Sequence, residues 1–306
     1  MKRVIGLMVA LILLVGLTGC AVSPTADARM KLGLGADAVY TVSADGKATV
    51  ETTWAAVVLD AADRIVSCRI DSIKADSMPG AADVSLKTKY ELKENYGMVA
   101  YGPAEKEWYE QVDIFCKAVE GKTLEEAMNL KAGEADLSAG CTISVMPFQY
   151  ALAKACQSAV AVEAAAADAL AMTLSGSVSA SEKADEFEFL ATASTSADGR
   201  FTACAIDAVQ VPVPLEKGAY AAESSATFKT KRELGFDYGM VAYAGAKYEW
   251  FEQMDALQAA AVGKTPNEVL ALVGENGKVV PDIDLASKAT VYVGGIVGQL
   301  AATVAE

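Results

Sequence analysis

The chain contains no histidine among its 306 residues, and this absence excludes several kinds of active site. Without imidazole there is no Ser-His-Asp or Cys-His catalysis, no histidine-ligated metal and no histidine pH switch. Basic residues are also scarce, with 26 Lys and Arg against 40 Asp and Glu and a formal net charge of −14. Because so acidic a chain repels phosphate backbones, nucleic acid is not an expected partner.

The cysteines are few, and they are not spaced as metal ligands or as a disulfide framework. Beyond residue 20, five occur, and no two have CxxC spacing: Cys68, Cys116, Cys141, Cys156 and Cys204. Five thiols cannot all pair with one another, and a zinc site needs closer thiolates or imidazoles. We therefore predict no metal site and expect these residues to be small buried apolar ones. No nucleophile lies near a visible base, so no catalytic residue is predicted, and the sequence leaves open whether the chain is an enzyme.

The first twenty residues have the composition of a lipoprotein leader. Two basic residues precede an apolar stretch of 14 residues, Val4–Leu17, which is short for a membrane span but typical of a signal peptide. The LTGC motif that ends at Cys20 resembles the lipobox of bacterial lipoproteins, which implies cleavage before Cys20 and lipidation there. We therefore predict a signal peptide over 1–19, a lipidated tether over 20–33 and a body anchored to the cell membrane outside the cytoplasm. A chance cysteine after an ordinary signal peptide, or an uncleaved anchor, are the alternatives.

The rest of the sequence contains a long internal repeat. From Leu86 to Thr123, 21 of 38 residues are identical to those found 142 positions later. Upstream, Arg64–Ile73 matches Arg200–Val209 at an offset of 136. A repeat of this length is a whole domain rather than a solenoid unit. The sequence therefore predicts two copies of one domain, over 34–170 and 171–306.

Within each copy, the residue pattern favours an α+β domain in which an antiparallel hairpin or sheet packs against helices. β-branched and alternating segments predict strands, and an Asp-Gly pair at 198–199 predicts a hairpin turn. Apolar residues at helical spacing predict a helix that ends near a glycine, followed at once by a threonine-capped helix. The predicted strands are Ala48–Leu59, Ile65–Ile73, Cys141–Val145 and Ala289–Val293. The predicted helices include Trp108–Val119, Trp250–Ala261, a closing helix from Phe148 to about Met172 and another from Ile296 to the chain end.

A short motif before each closing helix resembles the Ser-Gly-Ala-Thr motif of the FMN-binding domain. The two segments are AGCT at Ala139–Thr142 and SKAT at Ser287–Thr290. In that family, which occurs in membrane-anchored bacterial electron-transfer proteins, the threonine carries FMN through a phosphoester bond made by a flavin transferase. The resemblance implies FMN at one or both sites, bound covalently or held without a covalent bond. The cofactor-binding residues that it implies in the two motifs are Thr142, Thr290, Gly140 and Ser287.

Both segments depart from the family motif. Ala139 and Cys141 stand where serine and alanine belong, and Lys288 stands at the glycine position. That glycine matters because a phosphate needs close approach to unhindered backbone amides. Helix capping or a place in a strand is the alternative role for the two threonines.

A flavin ring also needs flat apolar neighbours, and a repeated Tyr-Gly-Met loop offers them. The predicted ring contacts are Tyr96, Met98, Tyr238 and Met240. The glycine between them allows a tight turn or close approach of a ligand. Packing in the core beside the amphipathic helix is the alternative role of these side chains.

Charged residues recur in the repeat as well. Glu107, Glu110 and Asp113 recur 142 residues later. We interpret them as a solvated helix face, and paired carboxylates for acid–base work or for a cation site are the alternative. The repeated basic residues are Lys87, Lys89, Lys229 and Lys231, which we interpret as solvated surface, although they could meet a phosphate.

These observations predict an exported, membrane-anchored lipoprotein that acts as an extracytoplasmic flavin-dependent electron carrier with redox partner proteins. The prediction needs no histidine, because the flavin ring supplies the redox chemistry itself. The alternative is a non-catalytic surface lipoprotein that has lost flavin and binds a small ligand or a protein partner.

Overall fold

The computed structural model describes residues 29–79, 84–138, 140–221, 224–281 and 283–304. The predicted signal peptide, the lipidation site at Cys20 and the tether up to residue 28 lie outside these residues. No helix in the described part of the chain is both long enough and apolar enough to cross a lipid bilayer.

Each half of the described chain begins with three long strands and continues with short helices. In chain order, the first half contains β1 (Lys31–Val42), β2 (Ala48–Leu59), β3 (Ile65–Ser77), β4 (Val84–Leu86), α1 (Lys89–Leu92), α2 (Met98–Tyr101), α3 (Trp108–Val119), α4 (Leu124–Met128), α5 (Met146–Ser158) and β5 (Val160–Ala161). The second half contains β6 (Ala169–Ala180), β7 (Ala184–Ala197), β8 (Arg200–Glu216), β9 (Ala219–Tyr220), β10 (Ser225–Phe228), α6 (Lys231–Leu234), α7 (Met240–Ala244), α8 (Trp250–Ala261), α9 (Pro266–Leu270) and α10 (Gly294–Ala301). Short 3-10 turns lie at Lys93–Tyr96, Ala135–Leu137, Gly235–Tyr238 and Asp284–Ser287. The protein is therefore α+β, as predicted.

The strands form two antiparallel sheets, and each sheet includes a strand from the other half. The first has the order β10-β1-β2-β3, with β5 also paired to β1, and the second has the order β4-β6-β7-β8-β9. Ala38 of β1 lies opposite Phe228 of β10, and Ser85 of β4 lies opposite Ser177 of β6. This reciprocal exchange joins the two halves through backbone hydrogen bonds.

The two sheets pack face to face, and the helices cover their outer faces. One apolar core lies between the sheets and includes Trp54, Phe187 and Phe189, all fully buried. A second core lies between the first sheet and α3 and α5, and a third lies between the second sheet and α8 and α10. Helix, sheet, sheet and helix thus form four layers. Burial on both faces explains why β2 ends in a continuous apolar run instead of an alternating pattern.

The long strands and the amphipathic helices agree with the sequence predictions. β2 spans the predicted residues Ala48–Leu59 and pairs with β3 in antiparallel register. Positive φ angles at Asp198 and Gly199 form the predicted turn between β7 and β8. Thr123 and Thr265 cap α4 and α9 with the predicted capping boxes. Local sequence signals therefore determine these elements.

Three secondary-structure predictions are wrong. The segments Cys141–Val145 and Ala289–Val293 are not strands, because a buried glutamine side chain binds their amides in place of a neighbouring strand. The first closing helix ends at Ser158, and the alanine-rich residues after it form β5 and the start of β6. The Tyr-Gly-Met loops contain the short helices α1, α2, α6 and α7, because capping boxes initiate α1 and α6.

The first strand of each half was not identified from the sequence. β1 begins at Lys31, inside the predicted tether, and β6 begins at Ala169, just before the predicted domain boundary. Gly33 and Gly35 of β1 let α5 approach closely, since a Cβ at Gly33 would lie 1.9 Å from the carbonyl oxygen of Ala155. These glycines explain why the sequence does not predict the strand, because glycine is unfavourable in most strands.

Candidate functional site

The Tyr-Gly-Met segment is held by a buried glutamate at the start of the following helix. Gly97 has a φ of 81°, which favours glycine, and it turns the chain from the 3-10 turn into α2. The carboxylate of Glu107 then accepts the amide hydrogens of Met98 and Val99 at 2.9 and 3.0 Å. Glu107 is only 4% exposed, so the interpretation as a solvated helix face is wrong for this residue. The segment is therefore rigidly tied to α3.

The second half repeats this arrangement at the same distances. Glu249, 2% exposed, accepts the amide hydrogens of Met240 and Val241 at 2.9 and 3.0 Å. Gly239 has a φ of 78° and precedes α7. The sequence showed only that the glutamate recurs, and its burial could not be inferred from a charged residue on a helix.

A buried glutamine in each half holds the threonine segment. The Oε1 atom of Gln111, in α3, accepts the amide hydrogens of Thr142 and Ile143 at 2.8 and 3.2 Å. The hydroxyl of Thr142 donates to the same atom at 3.3 Å. Gln253 binds Thr290 and Val291 in the same way. Both glutamines are fully buried, whereas both threonine side chains are exposed.

The first half brings Tyr96, Met98 and Thr142 together in one cleft of about 770 Å³. Lys74 and Asp76 of β3 also line it, as do Tyr101, Gly102, Pro103, Ala104 and Ile143. An adjoining cavity of about 290 Å³ shares Tyr96, Met98 and Ile143 with the cleft and is floored by Trp108 and Phe148. Tyr96 and Met98 are half-buried: they pack on the core, which is the alternative role weighed from the sequence, and they also line the cleft, where a ring contact stays a prediction.

Gly140, the glycine of the motif, lies outside the residues that line this cleft. Its φ is 122°, and a Cβ there would lie 2.4 Å from the side chain of Lys106. The backbone conformation therefore favours glycine, whereas the flexible end of the Lys106 side chain could move aside for a Cβ. Ala139 lies outside the described residues.

The second half has a cleft of about 620 Å³ lined by Tyr238, Met240, Trp250 and Val291. Thr290 precedes the lining residue Val291 in the sequence but does not itself line the cleft. Ser287 is exposed and donates its hydroxyl to the carbonyl of Asp284 at 2.9 Å. The predicted ring contacts are therefore together in the second half, whereas the two predicted motif hydroxyls do not line the cleft.

A buried lysine lines the cavity that adjoins the first cleft, and another lines the second cleft, so the interpretation of these lysines as solvated surface is wrong for two of the four. The ammonium of Lys89 pairs with Glu51 at 2.5 Å and lies 5.2 Å from the ring centroids of Tyr96 and Trp108. In the second half Lys231 pairs with Glu188 at 2.7 Å and lies over the rings of Tyr238 and Trp250. Both lysine side chains are only 7% exposed. Lys87 and Lys229 are exposed, as expected.

An aspartate fixes the first short helix of each half: Asp71 is half-buried and Asp207 is buried. Asp71 accepts the amide hydrogen of Tyr90 at 3.2 Å, and Asp207 accepts that of Arg232 at 3.1 Å. Burial raises the pKa of both carboxyls to about 6, although hydrogen bonds from Thr88 and Thr230 oppose the rise. These aspartates position α1 and α6 and do not line the two clefts.

The remaining chemistry of the described residues is limited. A further cavity of about 470 Å³ lies between the halves, where Arg69 and Tyr90 meet residues of β6. Within the described ranges, no three or more Cys, Asp or Glu side chains are grouped so that they could hold a metal ion. Four of the five cysteines there are buried, and burial raises the pKa of Cys141 and Cys156 to about 11.

Comparison with known proteins gives no match: no family model, no curated protein and no solved structure resembles the chain significantly.

Proposed function

We propose that the chain is an exported, lipid-anchored protein built from two copies of an FMN-binding-like domain, and that it carries electrons outside the cytoplasm through bound flavin. The observation that carries the proposal is the meeting of Thr142, Tyr96 and Met98 at one cleft. The motif resemblance pointed to Thr142, and the repeated loop offered Tyr96 and Met98 as contacts of the ring. The leader that ends at Cys20 supports the lipid anchor, and the repeat supports the two copies.

The residues of the first cleft fit FMN in size and chemistry. Its volume falls in the range of small-molecule sites. Tyr96 and Met98 offer apolar and polarisable contacts to a flat ring, and the hydroxyl of Thr142 is exposed for esterification. Lys74 is exposed at the cleft and, among the residues that the structure describes, has no ion-pair partner. Its ammonium can therefore offset the charge of a phosphate.

The chain's own residues bind and orient the cofactor. When bound, FMN supplies the redox chemistry, because its ring takes up and releases one or two electrons. Gln111 fixes the backbone on either side of the attachment hydroxyl, and Glu107 fixes the loop that bears Met98. Both supports are buried hydrogen bonds, which keep the attachment point and the ring contacts at a constant separation.

The second half gives a specific reason to consider non-covalent binding there. Lys288 stands at the motif glycine and pairs with Asp284 at 2.6 Å, and Thr290 does not line the cleft. In place of Lys74, the second half has Gln210, whose Oε1 accepts the hydroxyl hydrogen of Tyr238 at 3.2 Å. The second cleft therefore suits a planar ligand without a covalent phosphate, and in this half the alternative of a ligand-binding lipoprotein that has lost attached flavin is supported.

The test is to express the full chain with a flavin transferase and to record the absorbance and intact mass of the protein extracted from membranes. We expect a yellow protein whose mass shows one FMN, lipid at Cys20 and loss of residues 1–19. Thr142→Ala should remove the FMN mass, whereas Thr290→Ala should not. The matched control is Ser144→Ala, an exposed hydroxyl two residues from Thr142.

A colourless protein of unmodified mass that also fails to bind added FMN would end the electron-carrier proposal. A coloured protein whose FMN remains after Thr142→Ala would place the attachment elsewhere.

A further inference from the structure

In each half a buried Lys–Glu ion pair has more hydrogen-bonding capacity than its protein neighbours use. An ammonium carries three donors, and among the residues that the structure describes Lys89 has one hydrogen-bond acceptor, Glu51. The other contacts of the ammonium are the faces of Tyr96 and Trp108. Glu51 is 34% exposed, and a carboxylate has further lone pairs to offer. Both members of the pair line the cavity that adjoins the Thr142 cleft.

The second half presents the same pair to its own cleft. Lys231 and Glu188 line it together with Tyr238, Met240 and Trp250. Burial alone would lower the pKa of Lys231, but Glu188 and Tyr238 outweigh it and raise the pKa, so the ammonium stays charged. A charged donor and a charged acceptor therefore lie side by side in the second cleft and in the cavity that adjoins the first.

We propose that this Lys–Glu pair recognises the edge of the bound ring where a carbonyl adjoins an N–H group. The ammonium donates to the carbonyl oxygen, and the carboxylate accepts the hydrogen of the neighbouring nitrogen. The inference rests on the proposed function, since the pyrimidine end of a flavin has this carbonyl and N–H edge. Tyr96 and Met98 belong to both first-half cavities, so a ligand attached at Thr142 that runs along them reaches the pair with its far end.

A role in folding alone would also explain a buried ion pair, because Lys89 ties α1 to β2. The two roles differ in what they predict for ligands. If the pair serves folding alone, ligands with and without the ring N–H bind with the same affinity. If the pair recognises the ring, the affinity for the ligand depends on the ring N–H. This dependence disappears when the glutamate carboxylate is removed.

The test titrates the full chain with riboflavin and with 3-methylriboflavin, which lacks the N–H, and follows quenching of flavin fluorescence. Riboflavin has no phosphate, so covalent attachment does not interfere. We expect the methylated ligand to bind roughly 10- to 100-fold more weakly, the loss typical of a hydrogen bond to a charged group. The double variant Glu51→Leu/Glu188→Leu should bind both ligands equally.

Two lysine variants complete the experiment. Lys89→Met/Lys231→Met should weaken riboflavin binding by roughly 10-fold or more, because it removes the donor. Lys87→Met/Lys229→Met, two residues away and exposed, should leave it unchanged. Thermal unfolding of each variant establishes that it is folded, and the comparison of the two ligands on the unsubstituted chain needs no variant.

The outcomes separate the two proposals. Equal affinity of the unsubstituted chain for the two ligands would overturn the recognition role and leave flavin binding in place. Failure of that chain to bind riboflavin or FMN in any form would overturn the proposed function, and the recognition role with it.

Discussion

The two halves of the molecule hold their clefts with the same buried supports but differ at the cleft mouths. Gln111 and Gln253 bind their threonine amides at 2.8 Å, and Glu107 and Glu249 bind their methionine amides at 2.9 Å. The buried glutamine and glutamate supports are therefore the same in both halves, although the residues around the clefts differ. This shows that the spatial relation between the threonine segment and the Tyr-Gly-Met segment is the shared feature of the halves.

The differences concern the charge near the cleft and the residue at the glycine position of the motif. The first half has Lys74 at the cleft and Gly140 in the motif, and the second has Gln210 and Lys288 at the corresponding positions. One scaffold thus presents two chemically different sites. We interpret the first as the site for the phosphate-bearing ligand.

The closing helices differ as well, and this contrast gives the largest expected effect. In the first half α5 lies so close to β1 that a Cβ at Gly35 would be 2.3 Å from the backbone nitrogen of Ala155. Gly35→Ala should lower the free energy of unfolding by about 3 kcal/mol or more, because a helix backbone cannot move aside as a side chain can. Urea denaturation followed by circular dichroism measures this.

The matched position in the second half is Thr173, which pairs with Thr192 as Gly35 pairs with Ala55. Its hydroxyl donates to the carbonyl of Gln299 at 3.1 Å, so the end of α10 lies farther from the strand. The same hydroxyl also bonds with that of Thr192 at 2.7 Å, so Thr173→Ala should cost about 1–2 kcal/mol, the value of two hydrogen bonds. Equal losses in the two variants would contradict the view that the helices pack differently.

The buried carboxyl of Asp207 gives the next largest effect. The pKa of Asp207 is about 6 in the folded protein, above the usual 3.8, so the folded state binds the proton more tightly than the unfolded state. Stability from this group is therefore full below pH 4 and is lost as the pH rises from about 4 to 6. Relative to Asp207→Asn, the protein should lose roughly 2–3 kcal/mol over this range. Urea denaturation at several pH values measures the difference.

Arg232 sharpens this comparison, because its charge lowers the pKa of Asp207 while Tyr90 occupies the matched position beside Asp71. Arg232→Tyr should move the titration midpoint of Asp207 above 6, as followed by carboxyl carbon NMR. A midpoint that stays near 4 in the unsubstituted protein would show that burial does not govern this group.

Much of the fold could be predicted because local signals determine it. The spacing of Trp108, Val112, Phe115 and Val119 predicts α3, and the Thr-x-x-Glu pattern predicts the start of α4. The alanine-rich segment after Ser158 shows the limit. Its helix propensity is overridden, because β5 pairs with β1 and β6 buries one face between the sheets.

The candidate site could be predicted in its residues but not in its supports. Thr142, Tyr96 and Met98 were identifiable from a motif and a repeat. The burial of Lys89 and Glu107 depends on which aromatic rings and amides surround them, and that requires the tertiary structure. The exchange of β4 and β10 between the sheets could not be predicted from the sequence either, since β4 has only three residues and no pattern of its own.

The buried glutamines carry the last of the expected effects, smaller than those of Gly35→Ala and of Asp207, and they test the shared feature of the halves directly. Gln111→Ala leaves the amides of Thr142 and Ile143 without their acceptor, and water can replace it in part because Thr142 borders solvent. We expect a loss of about 2 kcal/mol in the free energy of unfolding. Gln253→Ala should cost the same, since its distances to Thr290 and Val291 are identical. A clear inequality between the two variants, measured by urea denaturation, would mean that one half depends on its threonine segment more than the other, and the geometric equivalence of the supports would then not be an energetic one.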